Sequence, residues 1–295
     1  MNYEDRIVAF IDILGFKELV KKSESNSKII ETLNTTLQYL KTWERPNQWN
    51  LDFVEIEKST QRKGIEKFIL KDRTNVTTFS DSIVVSVKIE EDNINEMLSS
   101  LITNLSYMGS ELMKNEILIR GAITIGKLIH NDNGAVFGNA LIEAYELESK
   151  CSKYPRIIIS NKLISRLNYP NISKRREYLY NQYFQRFSDG CVGFHQMIFF
   201  QVMNSLTGIT NEIRKKDLNI IRKVIIDGLD NSFENPVVFE KFKWLQKQYQ
   251  NLIILNNDFI TSENAVRDEL KKDIFDLNER DGFCIHFSER NENDF

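Results

Sequence analysis

The stretch "RIVAFIDILGFK", residues 6–17, decides the predicted fold. Its run from Ile7 to Ile11 is apolar without interruption, which is typical of a buried strand. Asp12 then places a carboxylate at the end of that strand, and Gly15 follows as a turn residue before a helix. A charge at such a place is costly unless something pairs with it. The stretch therefore predicts a strand, a turn and a helix, with Asp12 as a candidate functional residue.

The residues after Gly15 alternate between helical and strand patterns. The predicted elements are, in chain order, a helix at 28–43, a surface loop or hairpin at 44–64, two strands meeting at "SDS" within 76–87, a helix at 94–113, a strand at 116–130, a helix at 138–150 and a strand at 156–160. This order is β-α-β-β-α-β followed by α-β. It is the ferredoxin-like α+β pattern, an antiparallel-rich sheet with helices packed on it, which we expect on one face.

The pattern predicts two parts of the chain. Residues 1–165 would form the α/β domain, and residues 166–295 would form an α-rich extension. Within the extension we predict a turn at Asp189–Gly190, a strand at 191–202, a helix at 239–254 and a polar, frayed tail beyond about 276.

Composition excludes several classes of protein. The 295 residues carry a formal net charge of −3, so neither nucleic acid nor a membrane is predicted as a partner. The cysteines and histidines show no zinc-ligand spacing, and the N-terminal apolar run is too short to span a membrane. We therefore expect a cytoplasmic protein. We expect His130 to pack at the surface or in a loop.

Two strand-end aspartates are the candidate metal ligands. Asp12 ends "IVAFID", and Asp81 lies between "TTF" and "IVV". They can meet if their strands are neighbours in the sheet, and Mg²⁺ prefers one or two carboxylates together with substrate phosphates. The alternative is that both aspartates cap turns or helices, which is a common role. Gly15 favours the metal, because a glycine turn into a helix leaves backbone N–H groups ready for phosphate.

Four segments together carry a resemblance to class III nucleotidyl cyclases. They are "FIDILGFK", "FSDSIVVS", "LIRGAITIG" and "GNALIEAYELES", which stand in the family's order within about residues 5–160. Within that superfamily, the segments "LIRGAITIG", "VFGNALIEAYELES" and "YPRIIIS" most resemble the bacterial Pycsar pyrimidine cyclases. The resemblance implies a soluble enzyme that makes cyclic UMP or cyclic CMP, acts in antiphage defence and signals to a separately encoded effector activated by that product.

The resemblance also implies residue roles. Asp12 and Asp81, with the Ile13 carbonyl, would hold two Mg²⁺ or Mn²⁺ ions, and the amides of Leu14, Gly15 and Phe16 would hold the β- and γ-phosphates. One ion would lower the pKa of the ribose 3′-hydroxyl for attack on the α-phosphorus, and the other would neutralise the departing diphosphate. Phe10 shares the face of Asp12. A head-to-tail homodimer would face these groups with the partner's 120–150 segment.

The chain departs from the family pattern at two pairs of positions. The Asn and Arg that purine cyclases carry on the helix after Gly138 are Ile142 and Glu146 here. Arg120 is our first choice for the missing cation, with a strand-edge salt bridge as the alternative role. Weaker candidates are Lys127, Lys150, Lys153 and Arg156.

The two base-reading positions of purine cyclases correspond to Thr77 and Ala135. Both changes disfavour a purine, although a strand threonine is often structural. The function hypotheses are therefore a UTP or CTP cyclase, a purine cyclase, or a catalytically silent nucleotide-binding regulator.

Overall fold

The computed structural model divides into two compact units, residues 1–208 and 209–295. The structure describes residues 2–27, 29–31, 34–35, 74–90, 92–131, 134–167, 169–170, 180–199 and 211–255. The loop predicted at 44–64, the tail beyond 276 and most of the helix predicted at 28–43 lie outside these residues. The boundary predicted at 165–166 falls inside the first unit, because later strands join the same sheet.

The described elements of the first unit follow the predicted order. The strands are β1 (Glu4–Leu14), β2 (Thr74–Phe79), β3 (Ser82–Lys88), β4 (Leu118–His130), β5 (Val136–Phe137), β6 (Arg156–Ile159), β7 (Gln185–Arg186) and β8 (Val192–His195). The helices are α1 (Phe16–Ser23), α2 (Ile94–Lys114), α3 (Asn139–Cys151), α4 (Asn161–Ile164) and α5 (Tyr180–Tyr183). The β-α-β-β-α-β-α-β prediction is confirmed.

One sheet joins these strands in the order β2-β3-β1-β4-β6-β8-β7, with β5 pairing on β4. β1 is antiparallel to both β3 and β4, and β6 is parallel to β4 because α3 forms the crossover between them. β1 thus lies inside the sheet, between β3 and β4. Its last residues are therefore flanked on both sides, which positions the site described below.

Helices cover both faces of the sheet, not the single face predicted. Ile7 and Ile11 of β1 belong to the core that α2 completes, whereas Val8 and Phe10 pack with Ala140 of α3 on the opposite face. The reason is that β1 is apolar on both faces, so one layer of helices would leave a row of large side chains in water.

The strand predicted at 191–202 ends at His195. The buried side chain of Gln196 accepts a hydrogen bond from the Ile119 N–H over 2.9 Å and donates to the Gly109 carbonyl over 2.8 Å. These bonds satisfy buried backbone groups of β4 and α2, and the chain leaves the sheet at this point. In β8, a Cβ on Gly193 would overlap the carbonyl oxygen of Ile157 on β6, so the two strands approach closely there.

The second unit contains α6 (Asn211–Asn231) and α7 (Pro236–Leu255), and the helix predicted at 239–254 is confirmed. A Cβ on Gly228 of α6 would overlap the ring of Phe242 on α7, so the two helices pack closely at that glycine. None of the helices within the described ranges combines the length and apolar character needed to cross a bilayer.

Candidate active site at the end of strand β1

Asp12 lies between two partners in the sheet. Its register places it opposite Ser82 of β3 and opposite Arg120 of β4. It shares a face with Phe10, as predicted, and its side chain is 17% exposed. A carboxylate in this position is reachable from solvent and has neighbouring strands on both sides.

Asp81 lies beside Asp12, in the two-residue turn that joins β2 to β3. The turn places Ser80 at φ 53°, a left-handed conformation typical of tight hairpins. The Asp81 carbonyl accepts a hydrogen bond from the Ile13 N–H over 2.9 Å, which joins this turn to the end of β1. The two aspartates are therefore sheet neighbours, as predicted. Because N–H and C=O of a strand residue point to the same side, the Ile13 carbonyl points toward this turn.

Arg120 is held by two carboxylates of its own chain. Its Nε donates a hydrogen bond to Asp12 Oδ2 over 3.0 Å. Glu148 Oε1, on α3, lies 2.6 Å from the same nitrogen. The sequence-based expectation that a partner chain supplies this segment to Asp12 is therefore wrong for Arg120, because the β1–β4 register brings it to Asp12 directly. Within the described part of the chain, no residue accepts a hydrogen bond from the terminal nitrogens of Arg120.

Glu148 is the site residue that the sequence analysis missed. Its side chain is 3% exposed, and Oε1 accepts no hydrogen bond from the described residues. Burial raises its pKa to about 7, the Arg120 charge opposes that rise, and the negative charges of Asp12 and Asp81 add to it. A signal was present in the sequence, because Glu148 continues the four-residue spacing of Ala140 and Ala144, the inward side of α3.

The turn after β1 is formed by Gly15. It has φ 72° and ψ 18°, a left-handed conformation that glycine adopts without steric cost, and it caps the N-terminus of α1. No side chain caps this end, and the Gly15 carbonyl accepts from the N–H groups of Glu18 and Leu19. Leu14 belongs to β1, opposite Leu118, so it is a strand residue and not part of the predicted turn. Phe16 begins α1 and packs against the core.

Phe10 and Thr77 occupy the same face as Asp12. The Phe10 ring is buried beneath α3 and meets Tyr145 edge to face, with centroids 5.5 Å apart. Thr77 of β2 hydrogen-bonds to His130 over 2.8 Å. His130 is 4% exposed, so the expectation of a surface or loop position is wrong.

Three of the four other predicted cations pair with carboxylates other than Asp12 and Asp81. Lys127 pairs with Asp5, Lys150 pairs with Glu146, and Arg156 pairs with Asp189 in the turn before β8. Lys153 is exposed. Among the five predicted cations, Arg120 is thus the one for which the structure shows a contact with Asp12.

Two substituted family positions lie on the outer side of α3. Ile142 is 58% exposed, and Glu146 is also exposed. Ala135, the second substituted base-reading position, is exposed in the turn between β4 and β5. None of these three residues contacts Asp12 through a described hydrogen bond or ion pair.

The donor set fits a hard divalent cation. Asp12 and Asp81 offer carboxylate oxygens, and Glu148, whose Oε1 lies 2.6 Å from Arg120 Nε, adds a third carboxyl group close to them. Among the described residues, no group of three or more His, Cys, Asp or Glu side chains is arranged to hold a metal. The chain would therefore supply two carboxylates, and phosphate and water would complete the coordination, which is the arrangement that Mg²⁺ favours.

Several solved structures of cyclase domains resemble this chain. The catalytic core of a rhodopsin-guanylyl cyclase with converted specificity, in complex with ATPalphaS, is 16% identical, with a TM-score of 0.35 and coverage of 65% of this chain and 94% of that chain. The guanylyl cyclase domain of the RhoGC fusion protein from the aquatic fungus Blastocladiella emersonii is 15% identical, with a TM-score of 0.35 and coverage of 66% and 96%. An adenylate/guanylate cyclase/hydrolase from Silicibacter pomeroyi is 15% identical, with a TM-score of 0.33 and coverage of 65% and 95%.

No protein-family model and no curated protein matches the chain.

Proposed function

We propose that the first unit is a cytoplasmic nucleotide cyclase, which converts a nucleoside triphosphate to a 3′,5′-cyclic nucleotide and diphosphate. One observation carries the proposal. Arg120 lies opposite Asp12, the Asp81 carbonyl bonds the N–H of the next residue on β1, and all three residues stand at the end of the sheet where Gly15 caps the N-terminus of α1. Carboxylates for metal ions, an arginine and free helix amides are the groups that phosphoryl transfer requires, since such catalysis is mostly positioning and electrostatics.

Asp12 and Asp81, with the Ile13 carbonyl, would hold two Mg²⁺ or Mn²⁺ ions. Bound there, the ions would lower the pKa of the attacking ribose hydroxyl and neutralise charge on the diphosphate. The aspartates would fix where the triphosphate lies, because both stand at one end of the sheet. Neither a histidine nor a cysteine is required for this chemistry.

Arg120 supplies the protein's own positive charge to the phosphates. Asp12 and Glu148 both contact its Nε, and these contacts fix the position of the guanidinium group. Its two terminal nitrogens remain available to donate paired hydrogen bonds to phosphate oxygens. Among the described residues, the N–H groups of Phe16 and Lys17 at the start of α1 have no acceptor, so they can donate to phosphate as well.

The proposed substrate is UTP or CTP. Thr77 and Ala135 stand at the purine-reading positions of the family that the sequence resembles, and neither is the purine-reading residue. The same resemblance supports a role in antiphage defence, in which a separately encoded effector responds to cyclic UMP or cyclic CMP. Co-expression with the genomic neighbour should protect cells from phage, and Asp12→Ala should remove that protection.

We further propose that the enzyme is a homodimer with its sites at the interface. An apolar strip lies exposed along the outer side of α3 and the adjacent β5, on the face of the sheet that carries Asp12. It consists of Ile142 (58% exposed), Tyr145 (55%) and Phe137 (47%). A second copy of the chain is the occupant that this strip fits, because the strip adjoins a site that uses α3 residues.

The rival functions are a purine cyclase and a silent nucleotide-binding regulator. The hypothesis of a catalytically silent regulator is supported by Ile142 and Glu146, which stand where purine cyclases carry their Asn and Arg. Arg120 weighs against it, because this cation reaches Asp12 from the adjacent strand. The four-substrate experiment below separates all three functions.

The test is incubation of the full chain with ATP, GTP, CTP or UTP and Mn²⁺, followed by identification of products by mass. We expect a cyclic pyrimidine nucleotide from the wild type and none from Asp12→Asn. Asp5→Asn is the matched control, because Asp5 lies on the same strand, is 56% exposed and pairs with Lys127 away from the site. Cyclic AMP or cyclic GMP alone would overturn the pyrimidine proposal, and no product from any substrate would overturn the enzyme proposal.

A further inference from the structure

A chain of hydrogen bonds crosses the sheet from Arg6 to Thr77. Arg6 Nη1 donates to Ser86 Oγ over 2.9 Å, and Ser86 Oγ lies 2.8 Å from His130 Nδ1. On the other side of the imidazole ring, Nε2 lies 2.8 Å from Thr77 Oγ1. Arg6, Ser86 and His130 are buried, whereas Thr77 is half-buried. The chain therefore leads from a buried cation to a hydroxyl that a ligand can reach.

Arg6 fixes the first bond in one direction, because a guanidinium only donates. Its Nε and Nη2 donate to Glu4, and its Nη1 donates to Asn75 over 2.7 Å as well as to Ser86. Both hydrogens of Nη1 are therefore used. Ser86 Oγ is an acceptor of one of them, and its own hydroxyl hydrogen needs a different partner.

Ser86 decides the tautomer of His130. Among the described residues, Arg6 and His130 are the side chains that Ser86 Oγ contacts by hydrogen bonding. If Nδ1 carried the proton, Ser86 would accept two bonds and bury its own hydrogen without an acceptor, which is costly. If Nε2 carries the proton, Ser86 donates to Nδ1 and the buried hydroxyl of Ser86 has both an acceptor and a donor. The Nε2–H tautomer is therefore favoured.

The tautomer of His130 in turn determines whether the Thr77 hydroxyl acts as a hydrogen-bond donor or acceptor toward a ligand. Because Nε2–H donates to Thr77 Oγ1, the threonine hydroxyl hydrogen is left to be donated, and no described residue accepts it. Thr77 is opposite Val84 and Val84 is opposite Phe10, so all three share one row on the face of Asp12. Thr77 lies two strands away from β1, level with Phe10, and Asp12 follows Phe10 by two residues along β1. The separation of Thr77 and Asp12 is therefore on the order of 12 Å. A nucleotide can span that separation between its phosphates and its base.

We propose that Ser86 and His130 are positioning residues that fix the Thr77 hydroxyl as a hydrogen-bond donor, so that the site takes a base presenting a carbonyl oxygen. This inference rests on the proposed function, because the base is taken to lie over Thr77. Uracil presents O4 where cytosine presents an amino group, as thymine and cytosine do in DNA recognition. We call the hydrogen-bonded chain of Arg6, Ser86, His130 and Thr77 the relay. The relay therefore selects UTP over CTP.

The tautomer can be tested without any activity. In uniformly ¹⁵N-labelled protein, two-dimensional NMR correlation of ring nitrogens with ring protons distinguishes Nδ1–H from Nε2–H. His130→Gln identifies the His130 signals among those of three histidines. We expect the Nε2–H form, and observation of the Nδ1–H form would overturn the relay even if the enzyme is a cyclase.

The base preference is tested by turnover of UTP and CTP. We expect Thr77→Val to lower the ratio of kcat/KM for UTP over CTP about tenfold, the effect of one hydrogen bond. Ser86→Ala should lower the same ratio in the wild type but not in the Thr77→Val background, because the relay acts through Thr77. Thr78→Val is the matched control, since Thr78 faces the opposite side of the sheet. Equal effects of Ser86→Ala in both backgrounds would indicate a merely structural role and overturn the inference.

The two proposals fail in distinguishable ways. A cyclic product formed without preference for UTP would overturn the relay and leave the proposed function in place. If none of the four nucleotides yields a cyclic product, calorimetric titration with UTP and CTP in the presence of Ca²⁺ reads the base preference directly. Tighter binding of UTP would then support the relay alone, and equal affinities would overturn both proposals.

Discussion

Glu148→Gln should change how stability depends on pH. Burial raises the pKa of Glu148 from its ordinary 4.5 to about 7, against the opposing charge of Arg120 and with the help of Asp12 and Asp81. Between these two values, the folded state holds a proton that the unfolded state has released. The folded state therefore loses stability as pH rises through this range, and the loss is complete above pH 7. A glutamine side chain does not titrate, so the variant lacks this component.

The size of the effect follows from the two pKa values. Between pH 5.5 and pH 8.5, linkage gives a loss of about 2 kcal/mol in the wild type that Glu148→Gln does not share. The free energy of opening is measured by native-state hydrogen exchange of β1 and β4 amides in EDTA, with intrinsic exchange rates corrected at each pH. Parallel pH profiles of the two proteins would refute the assignment. Saturating Mg²⁺ should shrink the difference, because a cation at Asp12 and Asp81 lowers the pKa of Glu148.

Four further perturbations have defined outcomes. Asp12→Asn and Asp81→Asn should each lower product formation with Mn²⁺ at least about 100-fold, whereas the control Asp5→Asn should stay near wild type. Retention of activity by either site variant would contradict the assignment of Asp12 and Asp81 as metal ligands. EDTA should abolish turnover, and added Mn²⁺ should restore it. Ile142→Glu should shift the protein from dimer to monomer in sedimentation velocity, whereas a monomeric wild type would exclude the homodimer. Gly193→Ala should lower the free energy of unfolding by about 2 kcal/mol in urea denaturation, since its Cβ overlaps a neighbouring carbonyl; an unchanged midpoint would contradict this.

The fold was predictable where the signal is local. The apolar run of β1, the hairpin turn before Ser82 and the helical spacing of α2 each depend on neighbouring residues, and all three are confirmed. The covering of both sheet faces was not predicted, because the side on which a crossover helix packs depends on tertiary contacts. The end of β8 at His195, earlier than predicted, also depends on tertiary contacts. The Gln196 side chain that binds there reaches residues far away in sequence.

The site was only partly predictable for a similar physical reason. The adjacency of Asp12 and Asp81 follows from strand order, which the sequence pattern indicates. Arg120 could be nominated from its place at the start of a strand, but its pairing with Asp12 depends on the register of β1 and β4. Glu148 was missed, because a glutamate in a helix is usually solvent-exposed and its burial depends on the packing of α3.

Under the proposed function, the position of Arg120 would account for the substitutions on α3. Purine cyclases of the family that the sequence resembles carry their cation on this helix, whereas here Glu146 stands at that position and faces solvent. The inner side of α3 instead contributes the carboxylate of Glu148, which holds a cation that belongs to β4. An arginine anchored through Nε by two carboxylates keeps its terminal nitrogens available, which a lysine with one ammonium group could not do. In the proposed function, the charge missing from the helix is therefore supplied by the strand next to Asp12, and α3 takes part in the site by positioning Arg120.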